Sequence, residues 1–338
     1  MPLKYAYLIV IISLFFSSCK KESTKQQPQS NLDIYVVGAS TTKNYVNVAT
    51  YWKNGVGHLL ADSLGHSLAY AVCASGNDVY IAGYTSAGAV YWKNSIMTVL
   101  SPNASATSIC TDGNDIYFGG YVIQNYNSYP AYWKDGTLNM VSTTTQGAVN
   151  SIVVSGGTLY LGGYVTSSTT AQKAVYWING VQQDLTSGGF PARVNGIDVD
   201  GGNVYATGVW ESGSGTDVAT DWRDKTHTAL SDTTVEANAS AIKVIGGDIY
   251  VTGYFNTQGA AVYWRNGYMN TLSTNYFEAT GIAVNGTDLY ISGFKFTPGE
   301  PAILAGATAC FWKNGTLIQL PPGDDGSAMA YGIAVVPK

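Results

Sequence analysis

Eight side chains in the second half of this 338-residue chain have the types that hold a polar ligand: Arg193, Trp210, Glu211, Lys243, Phe255, Tyr276, Glu278 and Lys295. An aromatic ring beside charged and amide groups suits a sugar, whose CH face stacks on Trp while its hydroxyls bond to Glu, Arg and Asn. Glu211 and Glu278 also offer two carboxylates, the pair that glycoside hydrolysis requires, at a separation that only the fold can set. Asp198 and Lys243 take a position that holds Cys, Val or Ala elsewhere in the chain. An unpaired charge between packed sheets is costly, so both are expected to face water in a central channel.

Other chemistry has less support. His58, His66 and His227 form no pair with metal-ligand spacing on one strand. Asp324-Asp325-Gly326 is an acidic turn, which is ordinarily just solvated. The chain has no nucleophile-elbow pattern and no phosphate loop. No catalytic residue, metal or cofactor is therefore assigned. Cys73 and Cys110 lie five residues before the Asp of a recurring Asp-x-Tyr. A bridge between them would require Cα atoms within about 7 Å; two small apolar residues packed near the axis is the simpler reading.

What must position these groups is a repeat. An apolar strand, a Gly turn, Asp-x-Tyr-x-x-Gly, a variable loop and Tyr-Trp-Lys-Asn-Gly recur seven times. The tyrosines are Tyr35, Tyr80, Tyr117, Tyr160, Tyr205, Tyr250 and Tyr290; the tryptophans are Trp52, Trp92, Trp133, Trp177, Trp222, Trp264 and Trp312. A period of about 43 residues fits four-stranded propeller blades. Asn-Gly between alternating strands marks a tight hairpin. The fold class is therefore all-β, a seven-bladed β-propeller. Entry at Asp33-Ile34-Tyr35 and exit at Tyr331–Val335 give complete blades only if the last strand joins the first blade, which removes exposed sheet edges. Labelling the strands A to D along the repeat, the B–C and D–A loops vary in length and content and share one face, which is expected to carry the ligand. Blade five departs most from the repeat, with Val209-Trp210-Glu211 and Asp221-Trp222-Arg223. The recurring Trp and Tyr rings are expected between blades.

Ile116–Tyr121 and Leu159–Tyr164 carry a double glycine that resembles the kelch repeat. The resemblance implies the seven-bladed architecture and no functional residue, because here the Trp stands beside a Tyr in strand C.

The N-terminus reads as an export leader. Lys4 precedes an apolar run from Tyr5 to Phe16, too short for a span of roughly 20 residues. Ser17-Ser18-Cys19 resembles the lipobox of bacterial lipoproteins, which implies lipidation at Cys19 and a membrane anchor there. The expected domains are a signal peptide (1–18), the lipidated Cys and a flexible tether (19–31), and the propeller (32–338). Residues 32–338 carry 13 Lys/Arg against 21 Asp/Glu, a net −8, with no basic run. Nucleic acid, which needs clustered positive charge, is excluded as a partner. The expectation is an outer-membrane lipoprotein in the envelope of a Gram-negative bacterium, on the surface or periplasmic side. Its expected role is a lipid-anchored extracytoplasmic binding propeller for a glycan or an envelope protein. The alternatives are a polysaccharide lyase or hydrolase using charges at the channel mouth, and a protein-docking scaffold.

Overall fold

A computed structural model describes residues 32–61, 65–166, 171–187, 189–256, 259–297, 306–324 and 326–338. The expected leader, tether and lipidated Cys19 lie outside the described residues, as does Asp325. Leu32–Lys338 forms one compact unit of seven four-stranded antiparallel sheets. The inner strands A are Leu68–Ser75 in blade two, Ala104–Asp112 in three, Gly147–Ser155 in four, Ala192–Asp200 in five, Ala237–Ile245 in six and Phe277–Asn285 in seven. Blade one takes its strand A from the C-terminus: Ala328–Pro337 pairs with Leu32–Thr41. This confirms closure of the ring by the two ends of the chain.

The repeat places one aromatic on each side of strand C. Every blade's Trp is buried, at most 2% exposed, and faces the preceding blade. Trp52 packs with Tyr290 and Phe311 of blade seven, and its indole N–H donates to the Pro321 carbonyl at 3.0 Å. Trp92 donates likewise to Leu60 at 2.9 Å. The neighbouring aromatic points the other way. Tyr91 packs on blade three, where its ring meets Phe118 at 4.9 Å.

The short turns are tight for a local reason. Asn54 and Gly55 both have positive φ (52° and 84°), the geometry of a type I′ hairpin. Asn54 also accepts the Ile34 N–H through its side chain at 2.9 Å, so the same residue ties the C–D turn to the start of strand B.

At the axis each inner strand carries a β-bulge. The register shifts fall at Tyr331, Tyr70, Thr107, Asn150, Asn195, Ser240 and Thr280 in blades one to seven. Four of these side chains donate to the carbonyl just before the bulge of the next blade. They are Thr107 to Val149 (2.8 Å), Asn150 to Val194 (2.7 Å), Asn195 to Ala239 (2.8 Å) and Thr280 to Ala330 (2.9 Å). The bulge also explains the glycine of Asp-x-Tyr-x-x-Gly: a Cβ on Gly83, Gly208 or Gly293 would collide with the carbonyl oxygen of Leu68, Arg193 or Glu278.

One expectation for the axis is corrected. Asp198 is 5% exposed and does not face water. It accepts the Val244 N–H at 2.8 Å and pairs with Lys243 at 2.9 Å. Asp198 fits between blades because Lys243, whose own side chain stays 41% exposed, supplies its countercharge across the gap. Cys73 and Cys110 are free thiols, pushed up to about 12 by burial.

Candidate functional site at the channel mouth

The inner strands enter from the D–A loops, so their first residues and the last residues of the B strands ring one mouth of the channel. Arg193 and Glu278 occupy the same inner-strand position in blades five and seven, two residues before the bulge. Asn238 holds that position in blade six and lies opposite Tyr254 of strand B.

These groups converge on Tyr254. Burial and the charges of Glu278, Glu236 and Asp217 push its phenol up to about 12, and Arg193 pulls the other way. Glu278 is partly buried, and no hydrogen bond or ion pair joins it to another described residue. Loss of water raises its carboxyl from 4.5 to about 7. A carboxyl poised near neutrality and lacking a cation partner can accept an ammonium group or exchange a proton.

The opposite arc of the mouth is aromatic. Tyr70 lies 6.0 Å from Tyr84 and 5.8 Å from Tyr331, ring to ring, and Phe294 stands 6.3 Å from Tyr331. The Tyr331 phenol is also raised, to about 12, by burial first and then by the charges of Tyr84 and Glu278. Glu278 therefore sits where the aromatic and charged arcs meet. Below them the bulged residues line a central space of about 340 Å³.

The eight residues named from the sequence do not form one cluster. Arg193, Trp210, Glu211, Phe255, Tyr276, Glu278 and Lys295 lie at strand ends or in a loop on this face. Lys243 lies near the other end of its strand, bound to Asp198. Trp210 is half in the core: it packs with Ala192, Val194 and Trp222, and its ring meets His227 at 5.5 Å. Phe255 packs against the blade-six core. Lys295 lies over the Phe277 ring at 5.5 Å. Tyr276 is 36% exposed, with φ of 70°. Arg193 and Glu278 are thus the two named residues whose charges both act on Tyr254.

None of Tyr70, Tyr84, Tyr254 and Tyr331 is among the residues named from the sequence for this face. A signal for Tyr70 and Tyr331 was present. Ala69-Tyr70-Ala71-Val72, Ala330-Tyr331-Gly332-Ile333 and their five counterparts share an Ala or Val, then a variable residue, then a small residue and an Ile or Val. That pattern marks the bulge.

No family model matches the chain, so the kelch resemblance extends no further than the ring. No curated protein matches it either. Among solved structures, a puromycin-hydrolysing peptidase of Mycobacterium tuberculosis superposes with a TM-score of 0.57 at 10% identity, over 85% of this chain and 51% of that one. A puromycin hydrolase gives 0.54 at 9% identity, over 85% and 51%. An acylaminoacyl peptidase of Pyrococcus horikoshii gives 0.52 at 13% identity, over 86% and 50%. This chain therefore spans about half the length of each, and the likeness establishes the fold. It also corrects the expected lipid-anchored propeller for glycans or envelope proteins, together with its polysaccharide-enzyme and scaffold alternatives. In the similar structures the ring is part of a peptidase. A ring of this kind is thus no mark of a glycan or envelope binder.

Proposed function

We propose that this ring is the peptide-admitting part of a peptidase-like system, and that its mouth takes the free amino end of a peptide. The observation that carries the reading is Glu278: a partly buried carboxylate with no cation of its own, beside Tyr254 and facing an aromatic arc. An ammonium group would supply the missing countercharge, and side chains of the peptide would lie on Tyr70, Tyr84 and Tyr331. The solved structures support the substrate class, since their names are those of peptidases and a puromycin hydrolase.

The part proposed for this ring is admission and orientation. His58 stacks on Tyr51 at 4.8 Å, His66 accepts the Asn47 N–H at 3.3 Å, and His227 packs on Trp210. All three are engaged away from Glu278. The leader residues and Cys19 support a place in the cell envelope. Palmitate labelling that disappears in Cys19→Ala tests that placement.

The test of function is calorimetric titration of the protein with pentapeptides whose amino ends are free or acetylated. Free-ended peptides are expected to bind, acetylated ones to bind about tenfold more weakly, and Glu278→Gln to abolish the preference. Equal binding of the two peptide forms, or binding of neither, removes this reading.

A further inference from the structure

Blade five breaks the repeat where the gap to the next blade is normally filled. In the other six blades the residue before Trp is aromatic: Tyr51, Tyr91, Tyr132, Tyr176, Tyr263 or Phe311. Each packs against the following blade. Blade five has Asp221. A cleft of about 490 Å³ opens there against Ile249, Asn266 and Gly267 of blade six. The matching gap between blades one and two, where Tyr51 is present, measures about 300 Å³.

Two charges are left without partners in this cleft. Oδ1 of Asp221 is buried and has no hydrogen-bond partner, and burial raises the carboxyl to about 6. Arg223 is the other. In blades one, two, three, six and seven the cation after Trp pairs with the Asp of Asp-x-Tyr at 2.7–3.1 Å. Blade five has Asn203 in place of that Asp. Arg223 keeps its contact with the Tyr205 ring at 5.4 Å but forms no ion pair among the described residues. Asp224, also at the cleft, is already held, since its Oδ1 accepts the Val204 N–H at 3.0 Å.

Asp221 and Arg223 are two apart on one strand, so they share a face and stand about 7 Å apart along it. Opposite them on strand D are Thr228 and Thr226, whose hydroxyls both donate and accept. We propose that this cleft binds a zwitterion of dipeptide length, its ammonium on Asp221 and its carboxylate on Arg223. An extended dipeptide separates its ends by about 7 Å, and a single α-amino acid reaches only about half as far. The planar guanidinium offers a two-pronged contact to a carboxylate. The ammonium supplies the countercharge that the desolvated carboxylate lacks. This site lies toward the short C–D turns, on the face away from Glu278, and does not rest on the reading of the channel mouth.

The test is calorimetric titration of the whole protein with glycylglycine, glycine and N-acetyl-glycylglycine. Glycylglycine is expected to bind one to one, and the other two about tenfold more weakly. Asp221→Asn keeps the shape and should lose at least about tenfold in affinity. Asp221→Tyr restores the residue of the repeat, fills the cleft and should abolish binding while the melting transition stays cooperative. Glycylglycine has no side chain to lie on the tyrosines of the mouth, so its binding reads the cleft and should persist in Glu278→Gln. Absence of saturable binding overturns the proposal, as does glycine binding equally well or undiminished binding in Asp221→Tyr. Loss of binding in Glu278→Gln with none in Asp221→Asn would place the dipeptide at the mouth instead and also overturn it.

Discussion

Blades two and five are built to the same plan and finished differently. Both bury the Trp of strand C, at 0% and 1% exposure. Both keep the glycine that makes room for the inner-strand bulge, Gly83 and Gly208. Blade two adds Asp78, Lys93 and Tyr80, with an ion pair at 2.7 Å beneath a cation–ring contact at 5.4 Å, and Tyr91 to fill the gap ahead. Blade five has Asn203, Arg223 and Tyr205, and leaves the gap with Asp221. The difference teaches that the ring is held by Trp, glycine and bulge, which line the axis and the contact with the blade behind. The outer residues facing the blade ahead can change without opening the ring.

The largest effect expected from this comparison comes from writing blade five's residue into blade two. Tyr91→Asp removes a packed aromatic and leaves a carboxylate against Phe118. A loss of about 3–5 kcal/mol is expected in urea unfolding at neutral pH. A change below about 1 kcal/mol would show that the aromatic does not fill the gap, and the comparison of the two blades would fail.

A smaller and pH-dependent effect is expected at Asp221 itself. Its carboxyl titrates near 6 when folded and near 3.8 when unfolded, so the folded state holds the proton more tightly. The stability linked to this group is present below about pH 4 and lost as pH rises through 6. Asp221→Asn should therefore stabilise the protein by about 1–2 kcal/mol near pH 8, after allowance for solvent screening, and change little near pH 4. The same gain at both values would mean that the carboxylate is not desolvated.

The smallest effect is expected from Asn203→Asp, which restores the acidic partner of Arg223. Five blades have this pair at the surface, and such pairs contribute about 0.2–1 kcal/mol. High salt should remove the gain. If glycylglycine binds the cleft, the restored pair should also weaken that binding, because Arg223 would already be engaged.

Much of this was legible in the residues. Tyr-Trp at a regular interval, Asn-Gly turns and an Asp-Ile-Tyr start gave the blade count, the hairpins and the closing strand, because each is a local pattern repeated in register. The departures of blade five were equally visible as text. What they do was not: Trp210 reads as a ring for a ligand to stack on and packs half into the core, whereas Asp221 reads only as one of blade five's departures from the repeat and opens a cleft. Asp198 and Lys243 illustrate the same limit. Each looks costly alone, but Lys243 keeps water, and the buried Asp198 is tolerable because two strands 45 residues apart in sequence place the pair 2.9 Å apart.

The sequence by itself determined the seven-bladed ring, since periodic apolar, aromatic and glycine residues specify the same hairpins wherever they recur. The tertiary structure alone decided which charges meet. Glu278, Tyr254 and Arg193 come from three blades, and their proximity depends on the bulges and on the curvature of the closed ring. Whether a carboxylate keeps its water is likewise a property of packing, and packing left Glu278 and Asp221 without partners on opposite faces of the ring.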